Sequence, residues 1–273
     1  MSDAFELVTL RNGFRAVRHK GNGEVMHPSV GPWAEANTLY IEQARFDELL
    51  RTPSAEPIRI LDVGLGAAAN AVAALTRWRA LRCLRALELH SFEVDLMPLR
   101  LAVEDPLGFP FLIPFEAELR RLLADGSVEQ DGLRWKLSLG DALENFEQPG
   151  ESATLIFHDP FSPESNPTLW TPDAFAKLRA RSTTQGEGTR LFTYSASTRT
   201  RVSMLLGGFF VGFGDKIGTK QETTVASTRL DLLARPLPKE WLGRWERSSA
   251  RAPFGVELTP VLERAVREHP QFR

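Results

Sequence analysis

The chain has 273 residues, of which 42% are hydrophobic and 25% charged, with a formal net charge of −2. Such a composition can bury a sizeable core, which excludes whole-chain disorder, and the near-balanced charge excludes the globally basic surface of a non-specific nucleic-acid binder. A single cysteine, Cys83, excludes an intramolecular disulfide and a cysteine zinc cage. Asp3 and Glu6 stand where a secretory leader carries bases, and no apolar run nears the ~18 residues of a membrane helix. The expectation is a soluble, cytoplasmic chain with no metal site and no membrane contact. Charge is segregated: residues 86–159 hold 15 acids and 5 bases, residues 171–220 hold 8 bases and 3 acids, and residues 11–20 hold four bases and no acid. That pattern suits a face that tolerates a polyanion, although charged helix surfaces alone produce the same counts.

Residues 1–57 read as an N-terminal extension with an amphipathic helix over 38–50. From residue 58 strands and helices alternate. An apolar strand over 58–63 runs into Gly64-Leu65-Gly66, and alanine-rich residues 67–78 have good helix propensity. A strand over 86–92 is followed by a helix over 96–103, a proline-glycine break over 105–110 and a helix over 114–124. Strands are expected over 135–139 and 154–158, the second nearly unbroken in its apolar character, as in a buried parallel sheet. Helix 173–180, strand 190–194 and helix 198–206 come next, and strands 209–213 and 223–227 read as a closing antiparallel hairpin. The expected fold is α/β, a doubly wound Rossmann-like sheet of the class I methyltransferase kind, mostly parallel with that hairpin at its C-terminal end. The main domain spans 58–232, and residues 233–273 form a tail, irregular until a helix over 260–267.

In such sheets ligands sit at the carboxyl ends of the strands. The first strand end reads Leu61-Asp62-Val63-Gly64-Leu65-Gly66-Ala67-Ala68-Ala69-Asn70. Gly64 and Gly66 permit a tight turn and close approach of a ligand to the backbone, with Ala69 in place of a third glycine. Asp62, ahead of the glycines, repels a pyrophosphate and attracts an ammonium, which points away from NAD and toward S-adenosylmethionine. Glu93, at the second strand end, is placed to accept from a ribose diol. Glu88 reads as a paired or solvated strand acid, and Asp95 as a helix cap. Asp141 in Gly140-Asp141-Ala142 is placed to reach an adenine amino group, or to cap a helix. Gly64, Gly66, Asn70, Asp62, Glu93 and Asp141 are therefore the candidate cofactor set.

The fourth strand end is the most specific: Asp159, then Pro160, Phe161, Pro163, Asn166, Pro167 and Trp170. An acid at the end of a buried strand followed by a stiff aromatic loop makes a rigid polar spot with dry walls. His158 reads as a packed strand residue. This D-x-F-x-P-x-x-N-P-x-x-W pattern resembles the signature of the MnmC-type tRNA 5-aminomethyl-2-thiouridine methyltransferases. Thr193-Tyr194-Ser195, Arg201, Gly208-Phe209 and Gly218-Thr219-Lys220-Gln221-Glu222 follow in the family's order, and Met26-His27-Pro28 with Gly31-Pro32 are a looser match. Departures are Ala68 where a glycine is usual, Pro160 after the motif acid, and Gln221 where an arginine is common.

The resemblance implies a class I S-adenosylmethionine enzyme that methylates the aminomethyl group of the wobble uridine, with the tRNA anticodon region as partner. Fused members carry an FAD-dependent oxidase domain that 273 residues cannot also hold, so a separate oxidase acting upstream is implied. Asp159 would orient the acceptor amine, Phe161 would stack on the base or face the sulfonium, and Pro163, Asn166 and Trp170 would shape the substrate pocket. Arg201 and Lys220 are candidate phosphate contacts. The alternatives are a small-molecule N-methyltransferase or aminopropyltransferase of the same fold, and a non-catalytic cofactor-binding interaction module.

Overall fold

The structure, a computed structural model, describes residues 4–26, 30–81, 85–216 and 222–273. Strands β1 (Phe5–Thr9) and β2 (Arg15–His19) pair as a separate antiparallel hairpin, which the sequence reading left within an undivided extension. Helix α1 (Pro32–Glu35) runs directly into a π-helical stretch, Ala36–Glu42, and α2 (Phe46–Arg51) follows. The central sheet then begins. In chain order its elements are β3 (Ile58–Val63), α3 (Ala69–Ala80), β4 (Leu87–Glu93), α4 (Met97–Glu104), α5 (Glu116–Asp125), β5 (Ser127–Gln130), β6 (Leu133–Leu139), α6 (Ala142–Glu147) and β7 (Leu155–His158). They continue as α7 (Pro172–Ala180), β8 (Arg190–Thr193), α8 (Thr198–Leu206), β9 (Phe210–Gly214), β10 (Thr223–Ser227), α9 (Trp241–Glu246) and α10 (Pro260–Arg267).

The eight strands lie in the order β5-β6-β4-β3-β7-β8-β10-β9. Five of them, β6, β4, β3, β7 and β8, are mutually parallel, and the β9–β10 hairpin adds antiparallel at one edge as expected. Short β5 pairs antiparallel with β6 at the other edge, an element absent from the sequence reading. Successive side chains alternate between the two faces. Ile58 and Ile60 of β3, with Leu155 and Phe157 of β7, enter a core shared with α3, α4 and α5. Leu61, Val63 and Ile156 enter a second core shared with α7 and α8. Residues of the N-terminal segment, Phe5, Val17, Leu39, Tyr40 and Phe46, belong to the first core, and Trp241, Trp245, Val266 and Phe272 of the C-terminal tail to the second.

Local sequence explains the helix starts. Thr171 accepts from the Ala174 amide with Pro172 at the first helical position of α7, and Ser197 and Thr259 cap α8 and α10. Ala68, at the start of α3, holds φ 60, a left-handed conformation that costs a non-glycine residue about 1 kcal/mol. The chain runs from β3 outward through β4 and β6, then returns to β7 on the other side of β3. Ligand crevices form at such a reversal of strand order, outside the carboxyl ends.

Candidate active site

Val63 ends β3, His158 ends β7, and the two are register partners, so Gly64 and Asp159 leave the sheet side by side. The Asp159 amide donates to the Val63 carbonyl at 2.9 Å. Gly64 has φ +90, and a Cβ there would lie 2.5 Å from the Asp159 carbonyl oxygen. A side chain is therefore excluded by the neighbouring loop as well as by the turn. Gly66, at φ +53, has more room: the nearest atom to a Cβ is Met26 Sδ at 3.4 Å.

A cavity of about 730 Å³ opens at this point, a size typical of small-molecule sites. Its walls come from the β3 turn (Gly64, Gly66), the ends of β4 and β6 (Phe92, Glu93, Val94, Gly140, Asp141) and the loop after β7 (Asp159, Pro160, Phe161, Ser162, Asn166). Tyr194 and the N-terminal segment, with Asn22, Glu24, Val25, Met26 and Glu35, complete it. Six carboxylates line it, namely Glu24, Glu35, Glu93, Asp141, Asp159 and Glu164, and among the described residues no lysine, arginine or histidine does.

Each acid is held differently. Glu93 Oε2 accepts from the Gly66 amide at 2.8 Å, and Oε1 from the amides of Val94 and Asp95 at 2.8 and 3.3 Å. Burial raises its pKa, and those three amides oppose the shift. Asp141 Oδ1 caps α6 by accepting from Leu143 N at 2.8 Å, while its residue also lines the cavity. Asp159 Oδ2 accepts from Asn70 Nδ2 at 2.8 Å. Tyr40, fully buried on the π-helical stretch, has its phenol pushed well above the usual range by burial and further by the charges of Asp159 and Glu35, so it stays protonated. Tyr194 donates to the Pro160 carbonyl at 3.0 Å, and its pKa is raised for the same kinds of reason.

The remaining sequence candidates lie elsewhere. Asn70 is buried beneath the cavity as the partner of Asp159 and is absent from its wall. Trp170 is fully buried, donates to the Phe161 carbonyl at 2.9 Å and meets His158 edge-on, so it braces the loop from below. Phe161 lines the cavity and also stacks against Phe5 of the N-terminal hairpin, with centroids 6.3 Å apart. Pro163 is half-buried and outside the cavity wall. Arg201 is 3% exposed, paired with Glu222 at 2.9 Å and held by Thr223 and Thr224, so the expected phosphate contact is spent inside the fold. Lys220 lies outside the described residues, as do His27 and Pro28. The basic stretch 171–220 is largely engaged too: Arg181 is buried, Lys177 is paired with Glu147 and Asp173, and Arg199 lies over the Phe254 ring. Among its described residues it does not form the open polyanion face that its charge count suggested. Glu88 is paired with Arg59 and Arg134, Asp95 Oδ1 accepts from the Met97 amide at the start of α4, and His158 is buried with a pKa lowered by that burial to about 3, hence neutral.

Asp62 is also off the cavity wall. It is fully buried one layer below the turn, with Oδ2 accepting from Ser91 Oγ at 2.8 Å, and Ser91 in turn accepting from Trp135 Nε1 at 3.0 Å. Burial raises its pKa from 3.8 to about 7, opposed by Ser91 and reinforced by Asp159 and Glu93. A carboxyl with a raised folded-state pKa binds more protons folded than unfolded between those two values. Its contribution to stability is complete below about pH 4 and is lost as pH rises through about 7. Asp62→Asn should therefore flatten the fall in unfolding free energy between about pH 4 and 7, measured by urea titration. Parallel profiles for the two proteins would remove this group as the cause.

Among the described residues no helix is long and apolar enough to cross a membrane, and no group of histidine, cysteine and acidic side chains could hold a metal ion. A family profile described as S-adenosyl-L-methionine-dependent methyltransferase matches residues 119–229. The structure superposes on that of MnmC2 from Aquifex aeolicus with a TM-score of 0.77 at 29% identity, covering 97% of this chain and 84% of that one. The chain carries an MnmC-type methyltransferase domain. In sequence it is 29% identical over 206 residues to the tRNA 5-methylaminomethyl-2-thiouridine biosynthesis bifunctional protein MnmC of Cupriavidus necator, covering 68% of this chain and 30% of that protein. An uncharacterized protein of Methanocaldococcus jannaschii is 25% identical over 231 residues, 81% of this chain and 58% of its own length. The chain thus spans less than two thirds of both relatives. As an S-adenosyl-L-methionine-dependent methyltransferase, the MnmC-type domain needs a site for that cofactor, and the cavity fits it. A Cβ at Gly140 would meet nothing within 4 Å, the Gly64–Gly66 turn faces inward, and the acidic lining suits a cation.

Proposed function

We propose that the chain transfers the methyl group of S-adenosyl-L-methionine to the aminomethyl nitrogen of the modified wobble uridine in tRNA, engaging the anticodon region after a separate oxidase has acted. The observation that carries this reading is the lining of the cavity: six carboxylates and no base among the described residues. Such a site favours a cationic cofactor and a cationic amine over any phosphate or carboxylate acceptor. The tRNA itself is supported by the names of the MnmC relatives.

When bound, the cofactor supplies an electrophilic methyl group on a sulfonium. Glu93 and Asp141 would accept from its ribose and adenine, and the Gly64–Gly66 backbone would border its amino-acid end. Asn70, donating to Oδ2, fixes the Asp159 carboxylate at the cavity wall, where it orients the acceptor amine. The amine must lose a proton before its lone pair can attack, and Asp159 is placed to hold that proton before solvent takes it. Phe161, Tyr194 and Met26 exclude water from the same volume. The test is transfer of labelled methyl to tRNA carrying the free aminomethyl group. Transfer to small amines but never to tRNA would establish the small-molecule N-methyltransferase instead.

Glu93→Ala should weaken S-adenosyl-L-methionine binding by about 1–3 kcal/mol in calorimetry, because a charged, partly buried acceptor is lost. Unchanged affinity would take Glu93 out of the cofactor site.

A further inference from the structure

The loop after β7 is held from below by Asp159 N on Val63, Tyr194 on Pro160 and Trp170 on Phe161. From above it is held by one acid far away in sequence. Glu24 Oε1 accepts from the Ser162 amide at 2.8 Å, and Oε2 accepts from Ser162 Oγ at 3.1 Å and from Ser165 Oγ. These contacts bridge 138 and 141 residues. Asn22 adds a bond from Nδ2 to Ser165 Oγ at 2.8 Å, and the Phe5 ring stacks on Phe161. We infer that Glu24 is a positioning residue for methyl transfer: through Ser162 and Ser165 it makes the N-terminal segment the upper jaw of a clamp that fixes the Asp159 loop.

The physical reason is that a loop anchored on one side keeps freedom about its anchor, and small misplacements of reacting groups are expensive in rate. A carboxylate can accept from two hydroxyls and an amide at once, and its charge strengthens each bond. A glutamine retains the oxygen that Ser162 N needs and presents an NH₂ that the serine hydroxyls can accept. An alanine retains nothing.

The inference concerns the loop and rests on the proposed function only for its kinetic readout, so the experiment has two arms. In the first, hydrogen exchange of residues 160–166 is followed in wild type, Glu24→Ala, Glu24→Gln and Ser165→Ala, without any acceptor. Exchange should rise by about tenfold or more in Glu24→Ala, modestly in Ser165→Ala, and little in Glu24→Gln. In the second, methyl transfer to tRNA should show kcat lowered by about 10- to 100-fold in Glu24→Ala, with KM for S-adenosyl-L-methionine within about twofold and most of the rate restored in Glu24→Gln. Unchanged exchange in Glu24→Ala overturns the clamp. Equal kinetic loss in Glu24→Gln and Glu24→Ala overturns it too, because that pattern means a direct charge contact with the acceptor. A wild type that methylates no tRNA while the exchange pattern holds would sink the proposed substrate and leave the clamp standing.

Discussion

Asp159→Asn should leave S-adenosyl-L-methionine affinity within about twofold of wild type and lower methyl transfer by about 10²-fold or more. The substitution is nearly isosteric, and Asn70 Nδ2 can still donate to the new amide oxygen as it does now to Oδ2. That requirement fixes which way the amide points. With its oxygen held by Asn70, the NH₂ takes the place of Oδ1, and a donor then stands where the carboxylate offered a second acceptor. Tyr40, protonated and buried outside the cavity wall, cannot compensate, since a neutral phenol does not replace the lost charge. Cofactor binding is spared because Glu93 and Asp141 lie on other strand ends. Single-turnover transfer of labelled methyl, with affinity measured separately, separates the two effects. A near-normal rate would show that Asp159 is a turn residue and would move the acceptor site off this loop.

Much of the parallel sheet was legible because β3, β4, β6 and β7 each end at or run into a glycine or an acid, and the helices after β4, β7 and β8 have starts written in proline, serine or threonine. The pairing of Gly64 with Asp159 was not legible in either motif alone. It arises from the register of β3 on β7, and register is a property of the assembled sheet. Asn70 was read as a cofactor residue because it closes the glycine motif, but one turn of α3 aims it at Asp159 instead. Arg201 was read as a candidate phosphate contact, and no periodicity in residues 198–206 marks it as buried beneath Phe213 and Glu222. The N-terminal jaw was the largest omission. Asn22, Gly23 and Glu24 look like an ordinary polar turn, and nothing local shows that a partner waits 138 residues on. Tyr40 did leave a trace, as an aromatic hydroxyl on the apolar side of a helix, and a buried phenol of that kind usually answers to a polar group. Here the nearby charge is Asp159.

Gly64→Ala should be the most damaging of the conservative changes, costing about 2–5 kcal/mol of stability and most of the turnover. Two costs add. At φ +90 an alanine is strained whatever space surrounds it, by about 1–2 kcal/mol. Its Cβ would also stand 2.5 Å from the Asp159 carbonyl oxygen, 2.8 Å from the Asp159 carbonyl carbon and 3.0 Å from Pro160 Cα, all backbone atoms that cannot rotate away. Relief requires β3 and the loop after β7 to separate, which moves Asp159 off Asn70 and strains the Tyr194–Pro160 and Trp170–Phe161 bonds together. Gly66→Ala supplies the internal control. Its φ of +53 carries a similar backbone cost, but its Cβ meets only Met26 Sδ at 3.4 Å, the end of a flexible side chain. For a chain of this size each kcal/mol moves the melting midpoint by about 2–4 °C, so Gly64→Ala should melt well below Gly66→Ala. The turnover of Gly64→Ala should fall even at temperatures where it stays folded, because the displaced group is the Asp159 carboxylate proposed to orient the acceptor. Equal melting of the two variants would show that the turn and the Asp159 loop do not press on one another, and the geometric basis for placing the acceptor beside this turn would be lost.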